Sequence, residues 1–151
     1  VSVLRPGTDL RTLNLGDRAS KSTGTLAATT VALFTVAGGQ VAITSIYGIV
    51  TTAVTVANSY KLQHNPTTGT TSDLFAASDI GTTDTPAGDL LSFTGDAGGA
   101  YLTRGGAVET LRAPIVLSIG QIESVSAGTD GVITWVVTWV PLDDGASLVA
   151  A

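Results

Sequence analysis

The sequence predicts an all-β fold: an antiparallel β-sandwich or jelly-roll-like barrel of about eight strands, with an extended N-terminal arm. Three observations predict it. Val, Ile and Thr dominate the apolar runs, and their branched Cβ atoms suit a pleated surface better than a helix. Turn chemistry recurs between those runs, as in a sandwich or barrel. No stretch sustains helical periodicity for three turns, and residues 73–78 have room for a single turn at most.

Residues 1–24 read as an arm and residues 25–151 as the β domain. Arg5-Pro6-Gly7 is a turn signal, and Ser20-Lys21-Ser22-Thr23-Gly24 is a polar linker. Between them Leu4, Leu10, Leu13 and Leu15 are spaced as anchors for another surface. A solvated tail is the plain alternative, and four leucines with nothing to bury them favour docking. Arg5, Arg11, Arg18 and Lys21 face only Asp9 and Asp17, a net +2, whereas the remaining residues carry three cations against ten acids, a net −7. A basic arm on an acidic body can reach a neighbour's acidic surface. The contact residues expected of the arm are therefore Leu4, Arg5, Leu10, Arg11, Leu13, Leu15, Arg18 and Lys21.

Strands are expected at 25–36, 40–56, 59–64, 72–76, 89–94, 110–119, 123–126 and 132–142. Ala37-Gly38-Gly39 between the first two reads as a β-hairpin turn. Gly48, inside the long second strand, is expected to kink or split it. Turns follow at Asn65-Pro66-Thr67-Thr68-Gly69, Thr85-Pro86-Ala87-Gly88, 95–99 and Gly128-Thr129-Asp130-Gly131. In the last strand alternation puts Ile133, Trp135, Val137 and Trp139 on one face. The opposite face is also apolar, so this strand is expected at the centre of a sheet, ending at the donor-less Pro141. Phe34, Trp135 and Trp139 are the expected core aromatics.

At 151 residues the chain fits one domain with a real core. Apolar residues make up 44% and charged residues only 13%, which suits a surface partly covered by other subunits. No cysteine is present, so stability comes without disulfides or thiolate metal sites. A net charge of −5 argues against nucleic acid as a partner, and no apolar run reaches the roughly 18–20 residues of a bilayer span. The N-terminus shows no apolar signal region, which predicts a cytoplasmically made or already trimmed chain.

Sites of chemistry are few. Trp135 and Trp139, two strand positions apart, offer a sugar-stacking platform if exposed and core if buried. Asp73, Asp79, Asp84, Asp89 and Asp96 supply oxygen ligands of the kind calcium takes, but their spacing matches no calcium loop, and solvated turn residues are the simpler account. His64, the single histidine, has no Gly-x-Ser-x-Gly partner segment. Gly38-Gly39, Gly98-Gly99 and Gly105-Gly106 precede no helix and cradle no phosphate. The expectation is a protein that is no enzyme, with no catalytic residues, cofactor or metal.

Lys61-Leu62-Gln63-His64-Asn65-Pro66-Thr67-Thr68-Gly69-Thr70, with Asp73-Leu74 and Asp79-Ile80 after it, resembles small virion structural proteins of tailed bacteriophages. So does the ending Trp139-Val140-Pro141-Leu142-Asp143-Asp144-Gly145-Ala146. The similarity spans residues 33–151, and the Asn-Pro-Thr-Thr-Gly and Pro-Leu-Asp-Asp-Gly pieces carry it; residues 1–24 have no counterpart. It implies a capsid decoration or cement protein, usually a homotrimer, that clamps neighbouring major capsid subunits on the outer surface of the virion. A phage tail or fibre protein and a carbohydrate-binding adhesin module are the alternatives.

Overall fold

Alternating apolar residues separated by glycine- and proline-containing turns produce two antiparallel sheets packed face to face. The computed structural model describes residues 6–93, 102–109 and 113–151. Along the chain these are α1 (Gly7–Leu15), β1 (Asp17–Thr25), β2 (Thr30–Ala37), β3 (Val41–Thr52), β4 (Ser59–Pro66), β5 (Ser72–Asp73), β6 (Ser78–Asp79), β7 (Leu90–Phe93), β8 (Leu102–Gly105), β9 (Ile115–Leu117), β10 (Gly120–Ser126), β11 (Val132–Pro141) and β12 (Ser147–Ala150). The first sheet runs β1-β11-β3-β7-β8, with β9 also on β3. The second runs β12-β2-β10-β4-β5, with β6 also on β4. The turn expected at 95–99, Asp96 and the head of the expected strand 110–119 lie outside the described residues.

β11 lies at the interior of its sheet, as its two apolar faces predict, between β1 and β3. Its inward residues Ile133, Trp135, Val137 and Trp139 are buried, Trp139 at 8% exposure and the others at 0%. Phe34 is fully buried from the opposite sheet. The Trp135 indole lies parallel to Tyr60 at a centroid distance of 6.2 Å and donates its Nε1–H to the Tyr60 hydroxyl (2.8 Å). That hydroxyl also bonds Ser124 Oγ (2.8 Å), so the buried polar atoms of the pair are satisfied.

Several expectations need correction. β2 and β3 do not form a hairpin: β2 pairs with β10 and β12, β3 with β11, β7 and β9. Gly38-Gly39 instead carries the chain from one sheet to the other. A Cβ on Gly38 (φ +76°) would lie 2.3 Å from Gly145 O, so the crossing presses on the turn before β12. Both flanking runs are core-facing, and burial between sheets outweighs the local turn signal. The expected strand 25–36 is likewise broken, because Leu26 turns inward (3% exposed) and bonds Gly131 O while the chain changes sheets. Gly48 does not kink β3; the register of β3 against β11 shifts elsewhere, at Val132/Ile133 and Thr138/Trp139. Gly48 makes room instead, since its Cβ would sit 3.0 Å from Ile133 Cγ2 and 3.2 Å from the Trp135 ring.

The largest correction concerns residues 1–24. Residues 17–24 belong to β1, which pairs with β11 from Asp17↔Trp139 to Thr25↔Val132. Lys21 bonds within its own chain, donating Nζ–H to Ala151 O (2.6 Å) across the side of the sandwich. Residues 7–15 are helical rather than extended. At the end of the sandwich opposite α1, buried Asn58 latches the 127–128 turn, its Oδ1 accepting from Ala127 N (3.0 Å) and Gly128 N (2.9 Å).

Candidate functional site

The helix α1 begins after Pro6, whose carbonyl accepts from Asp9 N (3.0 Å) and Leu10 N (3.2 Å); Asp9 in the first turn complements the helix dipole. It ends at Gly16 (φ +88°), whose N–H donates to Thr12 O (2.8 Å). Only glycine fits there, because a Cβ would lie 2.0 Å from Trp139 O. Thr44 Oγ1 donates to Leu15 O (2.5 Å), and Thr138 Oγ1 lies 2.7 Å from Thr44 Oγ1 and 2.6 Å from Ser45 Oγ. This run of hydroxyls, placed where the ladder shifts register, ties the base of α1 to the first sheet.

Beyond that base α1 lies on the surface. None of its residues is buried: Leu10, Leu13 and Leu15 are 48%, 69% and 39% exposed. Leu10 and Leu13, at i and i+3, share one face. Arg11, on α1, and Arg18, on β1, are exposed and have no ion-pair partner among the described residues. Leu4 and Arg5 lie outside the described residues. Of the expected arm contacts, Leu10, Arg11, Leu13, Leu15 and Arg18 are thus exposed, and Lys21 is half-buried and bonded to Ala151.

At one end of the sandwich the segments 39–40, 67–68, 118–119 and Asp143 border a cleft of about 440 Å³. Gln40 N donates to Asp143 Oδ2 (2.7 Å), Leu142 N to Gln40 O (2.9 Å), and Thr67 N to Ile119 O (2.9 Å), so both walls are held by backbone bonds. Ile119 on its lining and Leu142 beside it are 45% and 51% exposed. Segments 65–69 and 141–145 thus meet at this cleft. Sequence reasoning missed the cleft because its walls are far apart along the chain.

A second cleft, about 370 Å³, opens beside the first between β4 and β9, with His64 and Ser118 among its lining. His64 is buried; Nε2 lies 3.4 Å from Ser118 Oγ, and Nδ1 has no hydrogen-bond partner among the described residues. Burial holds the imidazole below its ordinary value, against an opposing pull from backbone groups of Gln121 and Ser118 and the Glu123 carboxylate. Glu123 itself accepts from Gln63 Nε2 (2.7 Å) and Asn65 Nδ2 (3.1 Å).

Two of the aspartates considered for calcium are otherwise occupied. Asp73 pairs with Lys61 (2.7 Å). Asp79 accepts from the N–H groups of Asn58, Gly81 and Thr82 and from the Thr82 hydroxyl, which together hold its carboxyl well below the usual range. Among the described residues no three His, Asp or Glu side chains gather as metal ligands. A stacking platform of Trp135 and Trp139 is excluded by their burial. Comparison with protein-family models, curated proteins and solved structures finds no match to this chain.

Proposed function

We propose that this chain is a structural virion protein that decorates and cements a phage capsid, bridging neighbouring capsid subunits as a homotrimer on the outer surface. The observation that carries this reading is α1: a helix tied to the sheet at its base, bearing exposed leucines and an arginine with no ion-pair partner among the described residues. Uncovered apolar side chains on a presented helix are the property of an element that works by contact. The sequence resemblance supplies the kind of partner. A low charge content suits a surface shared between subunits.

The test is to mix the purified chain with phage particles lacking their surface proteins and to image what co-sediments. Regular density on the capsid is expected, and Leu10→Asp with Leu13→Asp should weaken it at any salt. Arg11→Ala with Arg18→Ala should weaken it most at low ionic strength, where charge pairing is least screened. Density confined to the tail would transfer the protein to the tail or fibre class. Absence of binding to any part of the particle would end the virion reading.

A further inference from the structure

The chain carries both an uncovered apolar knob and an open cleft, and they belong to different parts of the fold. We propose that α1 of one copy seats Leu10 and Leu13 in the 440 Å³ end cleft of a second copy of this chain.

The helix needs an occupant for its apolar face. At nine residues it is shorter than the roughly 12–15 at which isolated helices become even marginal in water. It buries none of its residues against its own subunit, where β11 is its principal neighbour. Its root is fixed by Gly16 and by the Thr44 bond to Leu15, so the knob is held out in one direction rather than trailing. A presented knob loses less entropy on docking than a free tail does.

The cleft matches it in chemistry. In its lining Ile119 offers apolar surface to leucines, and Asp143, with the exposed Asp144 next to it in sequence, places acid at the same end. Arg11 follows Leu10 directly and has no ion partner among the described residues, nor has Asp144. α1 itself is neutral, Asp9 against Arg11, so the electrostatic match is local: Arg11 meets the acids at the cleft end of a second copy, whose residues 25–151 carry net −7. Because knob and cleft are different patches, the contact is heterologous, and three such contacts closing on themselves give a ring. This deepens the homotrimer part of the proposed function and does not depend on the virion.

The chain has no cysteine, so introduced thiols report without background. Leu13→Cys and Ile119→Cys are made as separate proteins, mixed and mildly oxidised. Val149→Cys, exposed on β12, serves as the control partner. The expected result is a disulfide-linked pair at twice the 15.2 kDa chain mass, formed several-fold faster with Ile119→Cys than with Val149→Cys. Light scattering should report an oligomer for the unmodified chain and a smaller mass for Leu13→Asp, with unchanged circular dichroism because Leu13 is 69% exposed. Equal rates with both partners would overturn the proposal. So would a monomeric unmodified chain, or a double variant linked only within itself, which would place α1 on its own cleft. Cross-linking that succeeds while particle binding fails would sink the virion reading alone; the reverse would sink this one alone.

Discussion

Single atoms decide how the core is held. Tyr60→Phe would leave the Trp135 Nε1–H buried without an acceptor, at a cost of about 1–3 kcal/mol; urea unfolding should show it as a lowered midpoint with an unchanged slope. Gly48→Ala sets two effects against each other. Removing a strand glycine gains about 0.5–1 kcal/mol, but crowding Ile133 and Trp135 costs about 1–3 kcal/mol. A net loss is expected, and a stabilised variant would show that the indole has room to move. His64 gives the fold a pH dependence of definite sign. Its folded pKa lies below the ordinary 6.5, so the unfolded chain binds the proton more readily. Stability should be full above that value, fall as the pH drops below it, and level off once the folded imidazole also protonates. His64→Gln should flatten this limb. The further loss belonging to Asp79 and Asp130, whose carboxyls are held low by their hydrogen bonds, sets in only below their ordinary 3.8 and would remain.

At the scale of elements, α1 and β1 are neighbours in sequence with opposite roles. No residue of α1 is buried, so deleting residues 1–15 should leave the melting temperature nearly unchanged. β1 lies along β11 through seven residue pairs and brings Ala19 against the core. Deleting residues 1–22 should strip that cover, open the edge of β11 and lower the melting temperature sharply. Thermal melts of the two truncations check this, and equal melting temperatures would mean that β1 contributes nothing to the sandwich. The arm therefore divides at Gly16, where the chain passes against Trp139 O too closely for any side chain.

Across the whole molecule, strands adjacent in sequence mostly lie in opposite sheets, and β1 near the N-terminus pairs with β11 near the C-terminus. Loop-closure entropy must be lost before such contacts form, so refolding is expected on the millisecond-to-second scale of all-β domains. Stopped-flow tryptophan fluorescence follows it directly, since Trp135 and Trp139 are both in the core; submillisecond refolding would contradict it. The same topology brings residues 39–40, 67–68, 118–119 and 143 to one cleft, and roots α1 on the first sheet. The cleft and the seat of α1 are thus properties of the assembled sandwich rather than of any segment.

What the sequence by itself determined was local and periodic. The branched apolar runs, the period of two in β11 and the burial of Phe34, Trp135 and Trp139 follow from side-chain shape and alternation, and they yield an all-β sandwich. The exposed leucines of α1 were also legible, as apolar residues in a segment with no pattern to bury them. Tertiary structure alone decided which strands pair. Gly38-Gly39 looks the same in a hairpin as in a crossing between sheets, and only the seat on Gly145 and Asp143 distinguishes them. β1 reads as a polar linker because its outward residues are Ser and Arg and its partner lies more than a hundred residues away. The cleft was illegible for the same reason: its walls come from four separate segments, and no local preference encodes a contact whose free energy exists only once both sheets have formed.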